Sequence, residues 1–341
     1  MSVTIKDIAK KVGVSPATVS RVCNNHPSIS KETRERVQKA IQELGYEVPA
    51  SQDALAGTVA KTFGVILPPS AQDAYENTFY LKAIRGISQI CNQRRANTCI
   101  VTGQDYEEVL QSVKTLHQSG RVAGFIILYS RKNDIVIDYL CEQGLLYVIV
   151  GKPCDLTSQT ISVDNDNLLA SREATDYLYH LGHRRIGFLG GKTEFMHASD
   201  RKAGYQLSCL LHNLPVNPDY CIEMDGLWSN DNHELKQLLQ NPEHPTAFVV
   251  GDDLLALALE RVCVQMNLSI PEDISIIAFN NSLYAQLASP QLTAVDINSY
   301  LLGREAANQI LNHSEDPNLT ATKTIIPHTI VERSSCRAME V

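Results

Sequence analysis

The sequence predicts an α/β protein in which a small all-α N-terminal head precedes a two-lobed domain of parallel sheets with helices on both faces. Three observations lead there. Within residues 1–45, apolar residues recur at helical spacing in three short runs, bounded by caps or glycines. From Phe63 onward, apolar strand-like runs alternate with amphipathic stretches, the pattern of βαβ units and parallel sheets. Those units are too numerous for one small sheet, so two lobes around a cleft is the economical arrangement.

The head comes first. Ile5, Ile8, Ala9 and Val12 share one helix face, and Gly13 ends the run. Ser15 is a natural N-cap, Pro16 suits the first helical position, and Val19 and Val22 give the second helix its inward face. Ser30 caps a third helix. Thr33 stands at its third helical position, so the full capping box is absent. Val37, Ala40, Ile41 and Leu44 form its apolar stripe, and Gly45 stops it. Two short helices joined by a tight glycine-containing turn make a helix-turn-helix. The head is thus 1–45, a small polar linker 46–61, the two-lobed domain 62–335 and a tail 336–341. Within the linker, Ser51–Ala56 is compatible with a short helix.

In the body the strand candidates are Phe63–Leu67, Thr98–Thr102, Gly124–Tyr129, Tyr147–Val150, Ile161–Val163, Arg185–Leu189, Ala247–Val250 and Ile274–Phe279. Helical stretches between them include Phe79–Cys91, Tyr106–Gln118, Leu168–Leu181, Arg201–Leu211 and Leu254–Met266. A ligand of such sheets sits at the carboxyl ends of the strands.

Charge and composition narrow the function. The 341 residues carry a net charge of −8, which suits no polyanion binder until it is divided. Residues 1–60 hold 8 Lys and Arg against 6 Asp and Glu, leaving 22 against 32 in the rest. The basic excess lies in the head, and an acidic body is kept off phosphates. No apolar run spans a membrane and Met1–Asp7 carries no secretory signal, so a cytoplasmic location is expected. The nine cysteines are scattered with no C-x-x-C pair, which argues against a disulfide framework or a zinc site. Nucleophile-elbow, P-loop and metal-ligand spacings are absent. Asp252 and Asp253 are adjacent and would point apart, which excludes a glycosidase pair. The expectation is a protein that is no enzyme, with no cofactor and no metal.

The stretch Thr4-Ile5-Lys6-Asp7-Ile8-Ala9-Lys10-Lys11-Val12-Gly13-Val14-Ser15-Pro16-Ala17-Thr18-Val19-Ser20-Arg21-Val22 closely resembles the lactose-repressor (LacI/GalR) family. The resemblance extends over nearly the whole chain, including Thr62–Pro68, Val163–Asp166, Gly182–Gly191 and Val331–Ser334. It implies a repressor with a periplasmic-binding-protein-like body, acting as a homodimer on double-stranded operator DNA under the control of a small sugar effector. By similarity, Ser15, Pro16, Ala17, Thr18, Ser20 and Arg21 form the reading and positioning set of a recognition helix from Pro16 to Asn24. Arg21 suits a bidentate pair to guanine, and Ala17 a thymine methyl. Thr4, Ser15, Asn24 and Ser30 are candidates for phosphate contacts. For Thr18 and Ser20, local capping or packing is the other reading. The family linker usually reads Tyr-x-Pro-Asn-x-x-Ala-Arg-x-Leu. Here it is Tyr46-Glu47-Val48-Pro49-Ala50-Ser51-Gln52-Asp53-Ala54-Leu55, so the minor-groove leucine is retained as Leu55 while Asp53 replaces the arginine.

In the body, Arg201-Lys202-Ala203-Gly204-Tyr205 matches the family's Arg-x-x-Gly-aromatic helix start, whose arginine holds the ligand. The other reading of Arg201 is a surface ion pair with Asp200. Asp252 faces the cleft and Asp253 caps the following helix, on the sequence reading. Asn280 stands where many sugar-binding members carry Asp. Asp164 and Asn165 belong either to the cleft or to a lobe crossover. Phe79, Tyr80, Phe195 and Trp228 are ring candidates for stacking on sugar C–H faces, with packing as the alternative. Ala83–Gln89, Val163–Asn167 and Ala294–Ser299 look most like the maltose-operon repressors, which implies maltose or a malto-oligosaccharide as inducer. The rival within the class is a corepressor, a metabolite or a protein, that strengthens DNA binding.

Overall fold

The computed structural model describes residues 5–23, 31–44, 60–69, 77–155, 158–224 and 232–339. The chain divides into two compact units, Met1–Ala60 and Lys61–Val341. The first holds α1 (Ile5–Val12), α2 (Pro16–Cys23) and α3 (Lys31–Leu44). Gly13 ends α1 with φ +72°, a left-handed conformation that glycine adopts without a Cβ clash. Its N–H and that of Val14 both reach the Ala9 carbonyl, at 2.9 and 3.1 Å. The Ser15 hydroxyl then caps α2 by accepting the Thr18 N–H at 3.1 Å, with Pro16 opening the helix. Ile8, Ala9, Val12, Val19, Val22, Val37 and Ala40 form one buried core, with Ile41 and Leu44 packed against it. These are the stripes that the spacing predicts, except for Ile5, whose side chain lies outside what is described. Arg36 ties α3 to the end of α1 by donating to the Val12 carbonyl at 2.7 Å. Ser30, Gly45 and the linker through Val59 lie outside the described residues.

The second unit contains two sheets. In the N-lobe, β1 (Thr62–Ile66), β2 (Asn97–Val101), β3 (Val122–Ile127), β4 (Tyr147–Val150), β5 (Ile161–Asp164) and β11 (Lys323–Ile325) lie in the order β11-β5-β4-β3-β1-β2, all parallel. Helices α4 (Thr78–Gln93), α5 (Tyr106–Gln118), α6 (Ile135–Glu142) and α12 (Ser299–Glu315) belong to it. In the C-lobe, β6 (Ile186–Gly190), β7 (Cys221–Glu223), β8 (Ala247–Val250), β9 (Ser275–Phe279), β10 (Thr293–Asp296) and β12 (Thr329–Val331) lie in the order β12-β10-β9-β8-β6-β7. Its helices are α7 (Asn167–His180), α8 (Met196–Leu211), α9 (His233–Gln240), α10 (Asp253–Gln265) and α11 (Leu283–Leu287). Central strands such as β8 and β9 are buried throughout and apolar except for Ser275, as strands covered on both faces must be.

Two features depart from the sequence expectation. Edge strand β12 is antiparallel to β10. A parallel neighbour needs a long crossover on its own sheet, whereas β12 follows directly from β11 of the other lobe. The tail is also part of the packed body as far as Met339. The Met339 N–H bonds to the Leu181 carbonyl at 2.7 Å, and the Arg337 N–H to the Ser275 hydroxyl at 3.1 Å. Among the described residues no helix is long and apolar enough to cross a membrane.

The chain crosses between the lobes between β5 and α7, between β10 and α12, and between β11 and β12. The carboxyl ends of both sheets face the cleft that these crossovers close at its base, which is where open α/β sheets hold ligands.

Candidate ligand-binding cleft and DNA-binding head

Arg201 lies on the first turns of α8 and is only 4% exposed. Its motif has three parts on one helix face, because residues three and four apart are neighbours. Arg201 enters the cleft. Gly204 lets α8 cross α7 so closely that a Cβ would collide with the Leu168 carbonyl. Tyr205, fully buried, donates its hydroxyl to the Ile186 carbonyl at 2.8 Å and anchors the helix under β6. The Arg201 Nε donates to Asn167 Oδ1 at 2.9 Å and Nη1 to the Gly251 carbonyl at 2.6 Å. Its guanidinium carbon stands 4.1 Å from the centre of the Phe279 ring. The alternative pairing with Asp200 is not formed, since Asp200 holds Lys152 across the cleft at 3.0 Å.

Asp164 ends β5 and is 7% exposed. Asn167 links it to the arginine, donating from Nδ2 to Asp164 Oδ1 at 3.1 Å. Burial pushes the Asp164 carboxyl up to about 7, opposed by the Asn165 backbone N–H and by Arg201. Burial also lowers Arg201 to about 10, opposed by Asp252 and Asp164, which leaves it charged at neutral pH.

The two acids after β8 exchange their expected capping roles. Asp252 faces the cavity and also caps α10, accepting the Leu255 N–H at 2.8 Å. Asp253 is no cap. It is buried and accepts the Ser282 N–H at 2.8 Å, tying α10 to the loop before α11. The first acid holds the extended N-cap position at φ −160°, so the second is already inside the helix and turned to the neighbouring loop. Asn280 takes φ +90° after β9 and lines the same cavity. On the N-lobe side Asn77 caps α4 by accepting the Phe79 N–H at 3.0 Å. The Phe79 ring packs against the buried clusters of both lobes and meets Tyr80 edge-on at 5.2 Å.

Seven of the expected residues, Phe79, Tyr80, Asp164, Asn165, Arg201, Asp252 and Asn280, therefore surround one cavity. Its volume is about 70 Å³, room for a few water molecules. Phe195 does not line it. That residue precedes α8, its backbone bridges to Arg131 at the rim, and its ring stands beside His197 with centroids 5.9 Å apart. Trp228 lies outside the described residues. The lining also includes Asn77, Asn167 and His197, which the sequence reading passed over. Helix-start signals mark Asn77 and Asn167, but nothing local tells a cap or first-turn residue that it faces a ligand.

In the head, Ser15 and Pro16 are exposed at the start of α2, and the Ser15 hydroxyl also lies 2.9 Å from the Thr18 hydroxyl. The local capping read as the alternative for Thr18 is present. Ala17, Ser20 and Arg21 lie on α2; Thr4, Asn24 and Leu55 fall outside the described residues. Among the described residues no group of three or more His, Cys, Asp and Glu is placed to hold a metal.

Comparison with known proteins accounts for both units. Residues 4–48 match the lacI family of bacterial regulatory proteins, and residues 175–336 a periplasmic binding protein-like domain. The transcriptional regulator MalR of Staphylococcus xylosus is 34% identical over 343 residues, covering 99% of each chain. The chain belongs to the LacI family. It is a DNA-binding, ligand-regulated transcriptional repressor, and its relatives are regulators rather than enzymes. The solved complex of the regulator CelR with cellobiose superposes with a TM-score of 0.76 at 26% identity, covering 98% of this chain and 99% of that one. The lac repressor dimer bound to operator and anti-inducer gives 0.70 at 26% identity, covering 99% and 100%.

Proposed function

We propose that this LacI-family protein is a cytoplasmic homodimeric repressor whose operator affinity falls when maltose or a malto-oligosaccharide binds between the lobes. The observation that carries the reading is Arg201, held buried by Asn167 and the Gly251 carbonyl among the acceptors Asp164, Asp252 and Asn280 and beside the Phe79 ring. One fixed fork of donors with carboxylate and amide acceptors around it suits a neutral polyol, whose hydroxyls both donate and accept. One cation set against two carboxyl groups leaves no excess positive charge for a phosphorylated ligand. Aromatic faces at the entrance suit sugar C–H surfaces. MalR is a full-length relative, and the related CelR was solved with a disaccharide. A disaccharide exceeds the cavity of about 70 Å³, so the lobes part to admit it. Sugar releases DNA only if it binds the lobe arrangement of the off-DNA state more tightly than that of the on-DNA state.

In the same reading Ser15, Pro16, Ala17, Thr18, Ser20 and Arg21 meet the major groove. Thr4 and Asn24 meet phosphates, and Leu55 enters the minor groove. The test is operator binding by the purified protein, with and without maltose, at one fixed salt concentration. Release by maltose, lost in Arg201→Lys while operator binding is kept, supports the proposal. Binding that maltose leaves unchanged removes the sugar assignment, and binding that a metabolite strengthens makes the protein a corepressor-dependent regulator.

A further inference from the structure

Three crossovers between two lobes behave as one hinge only if something ties them together. Asn165 sits in the first crossover, between β5 and α7, and is 3% exposed. Its side-chain nitrogen donates to the carbonyl of Ile297 in the second crossover at 3.0 Å. The same nitrogen donates to the carbonyl of Ile326 in the third at 2.8 Å. An amide NH₂ has two hydrogens, and here each goes to a different crossover. The Ile326 N–H returns a bond to the Asp164 carbonyl at 2.8 Å, so the first and third crossovers are linked in both directions. Among uncharged side chains only asparagine and glutamine offer two donors on one planar nitrogen, and glutamine carries an extra methylene.

The knot adjoins the cavity. Asp164, Asn165, Asn167 and Ile297 all contribute to its wall. A ligand that moves Arg201 pulls on Asn167, and through it on the strand end that carries Asn165. We propose that Asn165 is the hinge pin of this protein, a positioning residue that joins the three crossovers so that the lobes rotate as rigid bodies and ligand occupancy reaches the crossovers together. The inference goes beyond the sugar assignment and is tested without a ligand.

The experiment is amide hydrogen exchange on the full-length protein, comparing wild type with Asn165→Ala and Asn165→Asp at pH 5 and pH 8. The reporters are Leu169, Asn298 and Ile326, whose N–H groups bond at or beside the three crossovers. In Asn165→Ala, exchange is expected to rise about tenfold at all three, as befits the loss of two hydrogen bonds, while amides of β8 and β9 keep their protection. Acceleration at Leu169 alone, equal acceleration across the sheets, or no change overturns the proposal. Should Asn165→Ala fail to fold, Asn165→Asp decides. A protonated carboxyl has one O–H to donate and a carboxylate has none, so in this variant one of the two bonds re-forms as the buried carboxyl protonates: protection at one crossover is higher at pH 5 than at pH 8, and the other stays open. A side chain that merely fills space shows no such recovery. Asp164, Asp166, Asp296, Lys323 and the His328–Glu173 pair surround the knot in every variant, so the ratio to wild type at each pH isolates residue 165.

Discussion

Asp164 and Arg201 show how one asparagine lets opposite charges share a buried cavity wall. The side chain of Asn167 gives its oxygen to the arginine and its nitrogen to the aspartate, so each is hydrogen-bonded without direct ion pairing. Burial raises the pKa of the aspartate from 3.8 to about 7. A carboxyl raised in the fold adds no penalty below its unfolded pKa and destabilises progressively as pH climbs toward the folded value. For a shift of this size the order of magnitude is about 4 kcal/mol. Asp164→Asn, which keeps an acceptor for Asn167, is therefore expected to gain stability relative to wild type between about pH 4 and 7 and to hold a constant advantage above it. Urea titrations at pH 4, 6 and 8 check this, and a difference that does not vary with pH refutes the assigned ionisation. Residues with a motif around them were legible: Arg201 through Gly204 and Tyr205, Asp252 through the strand end before it. Asn167 was not, because its role arises only when α7 and α8 cross.

Element by element, legibility follows punctuation. The head was readable because Gly13, Ser15 and Pro16 mark its turns and the apolar spacing between them is regular. Helices α5 and strands β4 and β8 fall where the periodicity placed them. Short edge strands β7, β11 and β12 were missed, since three half-exposed residues carry no period. Helix α8 begins at Met196, ahead of the Arg201 start expected from the motif, because its first turn lines the rim instead of showing an apolar stripe. At this scale two substitutions separate the units. Ser15→Ala removes the cap of α2 and is expected to destabilise the head by about 1 kcal/mol, weakening operator binding without moving the main melting transition of the body. Gly204→Ala forces α7 and α8 apart and is expected to destabilise the body by about 1–3 kcal/mol. Calorimetry of both variants distinguishes them, and a Gly204→Ala protein with an unchanged body transition means the crossing is looser than described.

For the whole molecule the question is what holds the lobes together across the cleft. Rim contacts are of two kinds. Backbone groups pair directly, with the Met196 N–H on the Ser130 carbonyl and the Lys132 N–H on the Glu194 carbonyl, both at 3.0 Å. Side chains add Lys152 to Asp200, Arg131 to Glu194 at 3.4 Å, and Lys82 to the Asn281 carbonyl at 3.0 Å. The Lys152 side chain is 42% exposed, and an ion pair in such a position contributes about 0–1 kcal/mol. Long lysine side chains also lose rotamer freedom when held, which offsets part of that gain. A double-mutant cycle with Lys152→Met and Asp200→Asn, read as maltose affinity by calorimetry, is accordingly expected to give a coupling of at most about 1 kcal/mol. Asp200 precedes Arg201 and its pair with Lys152 spans the cleft, so a larger coupling would make it a true latch. A small one leaves closure to the backbone pairing at the rim and to the crossovers at the base, where bonds are buried and unscreened by salt. On that outcome the rim charges tune how fast the cleft opens, and how far the lobes turn is set at the crossovers.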